Sequence, residues 1–249
     1  MIKRYPDRFI GAFSVDPFDD QAMAIVRRYV EDLGFRAIKF EISQGGGLHG
    51  FHRPFRLDLD NRVSQIFHYL ADYPGFVVTV DYGAADQTSY QPEAIVNLAR
   101  RYPELDFVVC HLSFPDAQYP YQLVNVLAQF ALLDNISVDI SAIQDILGED
   151  RADFPYPKSQ WAVRLAKKWL GAKRIVWGSD APWSATFNDY HQLATWLEHT
   201  AIFTLAELAD MMANNAARIY FKPTNVQAAR QASDPALARF KAHHPGTVD

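Results

Sequence analysis

Short apolar runs rich in β-branched and aromatic residues alternate along the chain with longer segments in which apolar positions recur every three to four residues. The runs "FIGAFSV" (9–15), "AIKFEI" (37–42), "FVVTVDY" (76–82), "DFVVCHL" (106–112), "NISVDIS" (135–141) and "RIVWGSD" (174–180) have the length and composition of strands. Between the first two, residues 16–34 place acids after Pro17, an apolar face through Ala22, Ile25, Val26 and Tyr29, and Gly34 as a stop, which predicts a helix. Segments 58–75, 91–104, 120–134 and 158–172 repeat that pattern, and two further helices are expected within 188–199 and 204–221. Nearly continuous apolar strands separated by amphipathic helices imply an α/β protein whose parallel sheet is covered on both faces.

The 249 residues, 49% of them hydrophobic, suffice to bury one large core, and a second domain is not required. Lys and Arg total 24 against 29 Asp and Glu, a net charge of -5. No basic stripe is present to track a phosphate backbone, so nucleic acid is not an expected partner. The single cysteine, Cys110 in "FVVCH", excludes an internal disulfide and reads as a small core hydrophobe. The start "MIKRYPDRF" has no apolar signal core, and no apolar run approaches the ~18 residues needed to cross a bilayer. A cytoplasmic protein with no membrane partner is expected.

Parallel strands carry their chemistry at their carboxyl ends. The third candidate ends in Asp81 and Tyr82, the fourth in His111, the fifth in Asp139 and Ser141, and the sixth in Ser179 and Asp180. If the strands run parallel, Asp81, His111 and Asp180 converge on one mouth, where carboxylates and an imidazole can bind a divalent metal or activate water. Lys39, on the second strand, can offset those carboxylates or polarise a substrate oxygen, although a salt bridge to Asp81 or Glu41 is its simpler role. Tyr82 and Trp183 lie where they can wall a substrate pocket. Taken singly, each residue also has a structural explanation: Asp180 as a turn cap, His111 as a hydrogen-bonded core histidine, and His49 and His52 as loop residues.

The ordered set "YPDRFIGAFSVDP", "LGFRAIKF", "RRYPELDFVVCHLS", "ISVDIS", "RIVWGSDAPW" and "NNAARIYF" resembles the amidohydrolase-related branch of the metal-dependent hydrolases. That branch includes decarboxylases of the aminocarboxymuconate-semialdehyde type and hydrolases of lactones and amides. The resemblance implies a (β/α)8 TIM barrel with a divalent metal, commonly zinc, and a small-molecule substrate. It gives His111 the place of the sixth-strand histidine, which binds metal or substrate. Asp180 takes the place of the eighth-strand aspartate, which binds the metal and handles the proton of the attacking water. It also implies a first strand ending in His-x-His, a triplet that occurs nowhere in the 249 residues, and a fifth-strand histidine whose place is taken by Asp81. Asp180, His111 and Asp81 are then the implied ligand set, with His49 and His52 available for recruitment. The expectation is a barrel over residues 1–223, incomplete on its N-terminal side, followed by a polar tail over 224–249. Its activity would be metal-dependent hydrolysis of a small amide, lactone or carboxylic-acid substrate. The alternatives are non-oxidative decarboxylation of an unsaturated or aromatic acid, and an inactive barrel that binds a partner. An incomplete barrel exposes strand edges, for which self-association is one remedy.

Overall fold

The computed structural model describes residues 2, 4–44 and 55–222; His49, His52 and the tail from 224 onward lie outside the described residues. Among the described residues six strands form one sheet: β1 (Ala12–Phe13), β2 (Ala37–Glu41), β3 (Val77–Asp81), β4 (Asp106–Val109), β5 (Ile136–Asp139) and β6 (Ile175–Val176). All pairs are parallel, and the spatial order β1-β2-β3-β4-β5-β6 follows the chain. A doubly wound sheet would reverse direction at a switch point. The continuous order instead matches barrel winding, each strand returning beside its predecessor through helical segments.

Those segments are α1 (Ala22–Arg27, continued by a wide turn over Arg28–Asp32), α2 (Asn61–Leu70), α3 (Pro92–Arg101), α4 (Pro120–Phe130), α5 (Ile143–Ile146) and α6 (Pro157–Leu170). After β6 come α7 (Tyr190–Thr195), α8 (Leu205–Ala209) and α9 (Asn215–Tyr220). Local chemistry fixes several starts. Pro92, Pro120 and Pro157 open their helices, where a missing N–H costs nothing. Asp60 caps α2 by accepting from the Arg62 and Val63 amides, and Thr204 and Glu207 form a reciprocal box at α8.

The period-two alternation of the strands divides two interiors. Ile38, Phe40, Val78, Val80, Phe107, Val109, Ile136, Val138 and Ile175 point outward into the main core beneath the helices. There the Phe67 ring stacks on Phe40, Tyr102 and Phe107 with centroids 5.5, 5.8 and 6.1 Å apart. The opposite face of the sheet carries Ala37, Val77, Val108 and Val176, which pack with Ile219, Ala216 and Tyr220 of α9. Thus α9 covers the inner face at the amino end of the strands. Asn215 anchors it by donating to the carbonyls of Ala172 and Ile175 at 2.8 Å each, and Lys222 pairs with Asp106 at 2.5 Å on the far side.

Several strands are shorter than their apolar runs suggest, β1 retaining only Ala12–Phe13 of residues 9–15. The sixth stops at Val176 because the Trp177 amide donates to the Met211 carbonyl, 3.1 Å away, rather than to a neighbouring strand. The fourth stops at Val109, where the backbone enters a left-handed turn. Cys110 is buried and unpaired, as its apolar surroundings predict. No helix among the described residues is long and apolar enough to cross a membrane.

A buried polar knot ties the α2 entrance to α3. Asp58 accepts from Arg56 at 3.0 and 3.2 Å and from Asn97 at 2.7 Å. Burial works to raise its affinity for a proton, but these donors and the Arg56 charge outweigh it and hold the carboxyl below its ordinary range. A carboxyl whose folded pKa is depressed stabilises the protein fully above its unfolded pKa, and the contribution is lost as pH falls through the folded value. Asp58→Asn is therefore expected to cost about 1–3 kcal/mol at neutral pH and to flatten the acid limb of stability. Urea unfolding of both proteins across the acid range reads the difference.

Candidate active site

The inward faces of β2 and β3 end in acids set side by side, Glu41 opposite Asp81 in register. Two residues earlier on β2, the Lys39 ammonium reaches Glu41 at 3.2 Å. Burial opposes the Lys39 charge, yet the surrounding acids raise its pKa above the ordinary value. Glu41 is also raised, by burial and then by the Asp81 charge beside it. Asp81 is shifted down: burial alone would raise it, but the His111 bond and charge and the Gly83 amide, at 3.0 Å, stabilise its ionised form.

His111 sits just past β4 in a run of four non-glycine residues with positive φ: His111 (55°), Leu112 (50°), Ser113 (62°) and Phe114 (55°). Left-handed conformation costs an ordinary residue about 1–2 kcal/mol, so the surroundings must over-determine the turn. They do so at several points. The Tyr82 hydroxyl and Ser113 Oγ are 2.7 Å apart, Phe114 meets the imidazole edge-on at 5.3 Å, and the His111 amide donates to Asp139 Oδ1 at 3.0 Å. The buried ring then spans two strands: Nε2 lies 3.2 Å from Asp81 Oδ2, and Nδ1 lies 2.9 Å from both the carbonyl and the hydroxyl of Ser141. Burial disfavours its charge, but the Asp81 hydrogen bond and the charges of Asp139, Asp81 and Asp180 prevail and lift its pKa to about 9.

Asp180 follows β6 in the turn that "GSDAP" predicts, itself at φ 50°. Burial raises its pKa, with Asp139 and Asp81 adding to the effect while His111 and Lys39 oppose it. Asp81 ends β3, His111 follows β4 and Asp180 follows β6, so the parallel sheet carries all three past the same end of its strands, with Lys39 two residues short of the end of β2. That is the convergence expected from strand polarity.

Tyr82 and Trp183 have different surroundings. Tyr82 is fully buried and its hydroxyl is committed to Ser113, so it supports the left-handed turn rather than facing an open cavity. Trp183 is 62% exposed. With Phe187, Asp145 and Glu149 it lines a cleft of about 430 Å³ between the β5 and β6 loops. Sequence reasoning gave no site role to Glu41, Asp139 or Ser141, although the last two stand two positions apart in "VDIS", on one face of the strand.

The geometry defines a barrel-type α/β protein with an acid–imidazole–ammonium cluster at the carboxyl rim of its strands. An amidohydrolase family model matches residues 1–222, and the chain belongs to that family. Over 113 residues it is 31% identical to an L-fucono-1,5-lactonase of Burkholderia ambifaria, a match covering 42% of this chain and 37% of that protein. The match thus spans little more than a third of the curated relative's length. A zinc-bound amidohydrolase from Burkholderia multivorans superposes with a TM-score of 0.69 at 16% identity, covering 89% of this chain and 78% of the other. A 2,6-dihydroxybenzoate decarboxylase from Rhizobium gives 0.62 at 17% identity, covering 88% and 73%. These superpositions establish a TIM-barrel amidohydrolase fold.

The family is metal-dependent. A catalytic divalent ion takes three or more protein ligands. Among the described residues no three His, Cys, Asp or Glu side chains form a group that could hold one, and His111 Nε2 is engaged by Asp81 itself. The described side chains do not fit a complete metal sphere.

Proposed function

We propose that the chain is a hydrolase of small lactones, with Asp180 and His111 as its catalytic residues, Asp81 as the partner of His111, and Lys39 facing the substrate. The observation that supports this reading is that parallel strands carry Asp81, His111 and Asp180 to one rim, with Nε2 of His111 3.2 Å from Asp81 and Lys39 paired to Glu41 beside them. The lactonase relative supports the choice of substrate class.

Opening a lactone requires a base for water, stabilisation of the carbonyl oxyanion and a proton for the departing ring oxygen. Asp180, partly exposed at the mouth, takes a proton from water as the oxygen attacks the carbonyl carbon. The Lys39 ammonium and protonated His111 stabilise the negative charge that develops on the carbonyl oxygen. When the C–O bond of the ring breaks, Asp180 returns its proton to the alkoxide, giving a hydroxy acid. The ion pair with Asp81 keeps His111 charged in a buried setting where a lone imidazolium would be costly. Trp183 and Phe187 offer an apolar wall at the same end of the barrel.

Proton release from a panel of sugar and aliphatic lactones, measured with metal-free, zinc-supplemented and manganese-supplemented protein, tests the proposal. Turnover that disappears in Asp180→Asn is the expected result. Inertness toward every lactone under all three conditions, or release of carbon dioxide from hydroxybenzoates instead, overturns it.

A further inference from the structure

The cleft between the β5 and β6 loops is built from beneath by a buried hydrogen-bond network. Asp145, on α5, accepts from the Ser184 hydroxyl at 2.5 Å and from the Asn188 side-chain amide at 2.7 Å. Asn188 in turn accepts from the Tyr156 hydroxyl at 3.1 Å. Ser184, Asn188 and Tyr156 are all fully buried, so these bonds, out of reach of water, pin one loop to the other. Across residues 181–190 only Ser184 and Asn188 are buried. Each follows an aromatic residue, Trp183 and Phe187. Turning the serine and asparagine inward therefore leaves both rings at the surface, edge to face with centroids 5.6 Å apart. The acids around the cleft are already engaged. Asp145 holds the loop, and the buried Glu149 accepts from the Lys158 amide at 2.6 Å, the Ser159 amide at 2.9 Å and the Ser159 hydroxyl at 2.6 Å. Asp150 accepts from the Ala152 amide at 2.7 Å. No basic side chain is among the described lining residues. A visiting group thus meets two aromatic faces inside a negative field. Hydrocarbon gains from leaving water against such walls, whereas a carboxylate would lose its hydration and face three like charges.

We propose that this cleft is the specificity subsite of the enzyme, where Trp183 and Phe187 receive an uncharged apolar substituent of the substrate and a carboxylate is rejected. Both loops leave the carboxyl ends of their strands, so the cleft opens on the same rim as Asp180. The Ser184 amide donates to the Asp180 carbonyl at 3.2 Å, which makes the pinned loop continuous with the turn that carries the reacting acid. From Asp180 to Trp183 is three residues, at most about 11 Å of chain. One small molecule can touch both. The volume of about 430 Å³ is in the range of small-molecule pockets and accommodates a phenyl ring or a short alkyl chain.

The substrate as a lactone rests on the reading above, but the preference of the cleft does not, and two measurements separate them. The first is binding to the full chain of phenyl-substituted tetrahydrofuran, a cyclic ether with no ester to hydrolyse, and of its carboxylate-substituted counterpart. Saturation-transfer NMR and titration follow both. The phenyl compound should bind with its aromatic protons receiving the strongest transfer, and the carboxylate should bind at least about tenfold more weakly. Trp183→Ala should bring the two compounds close together. Trp183 is exposed, so its truncation leaves the core intact, and Phe187→Ala provides an independent second variant. The second measurement is turnover of phenyl-substituted, carboxylate-substituted and unsubstituted butyrolactone. The phenyl lactone should have the highest kcat/KM, and in Trp183→Ala its advantage over the unsubstituted lactone should shrink about 10–100-fold, mainly through KM. A phenyl ether that fails to bind at millimolar concentration, a carboxylate that binds as well or better, or an undiminished preference in both variants overturns the proposal. The expected binding with no lactone turned over supports the cleft and overturns the lactone reading alone.

Discussion

Replacing His111 with glutamine is expected to lower kcat/KM by about 10²–10³-fold, the range typical for loss of a group that stabilises a developing oxyanion. Glutamine can still donate from its amide to Asp81 or to the Ser141 carbonyl, and the bond from the residue 111 amide to Asp139 is a backbone bond that the substitution leaves in place, so the left-handed turn should survive. What it cannot do is carry a proton. The loss should fall mainly on kcat, because the imidazolium stabilises charge that appears only as the carbonyl is attacked. Steady-state kinetics on whichever lactone is turned over, with thermal melting to show an intact fold, checks the expectation. A variant within twofold of the parent would remove His111 from the reaction.

Removing the Phe67 side chain should produce the largest loss of stability. Phe67 is completely buried on α2 and stacks on rings from β2, β4 and the end of α3. It therefore bridges the helical layer and the outer face of two strands. Truncation of a core phenylalanine to alanine costs about 3–5 kcal/mol. At roughly 2–4 °C per kcal/mol for a protein of this size, Phe67→Ala should melt about 6–20 °C lower. A neighbouring exposed position offers the contrast: Leu59 is 68% exposed, and its truncation should leave the melting point nearly unchanged. Differential scanning calorimetry of the two variants measures both effects.

Much of this architecture could be read from the residues because parallel strands and their covering helices leave strong apolar periods. The runs at 37–42, 76–82, 106–112 and 135–141 contain β2 to β5, and the Lys39 pairing with Glu41 is the simpler of the two roles considered for it. The strand-end acids and His111 were visible for the same reason: each interrupts an apolar run where a parallel strand must stop. The path of the chain just beyond those stops was not legible. Four consecutive positive φ values at His111 to Phe114 contradict the preference of every residue involved, and beside one local bond from the Phe114 amide to the His111 carbonyl they are held by partners distant in sequence, Tyr82, Asp139 and Ser141. For the same reason Tyr82 read as a pocket wall although its environment makes it a buttress. Asp139 and Ser141 left a faint signal, polar residues two apart on a strand, but strands often carry such pairs, and their value lies in how each meets His111.

The way α9 covers the inner face also bears on the order of assembly. Ala37, Val77, Val108 and Val176 come from four strands, yet their shared cluster is completed by Ile219 of α9, with Tyr220 beside it. A nascent chain emerging from the ribosome can zip these strands together in sequence, but their lining stays wet until residue 220 has been released. The native state should therefore be reached in one late, cooperative docking event, and a ribosome stalled before α9 should hold a collapsed, protease-sensitive intermediate.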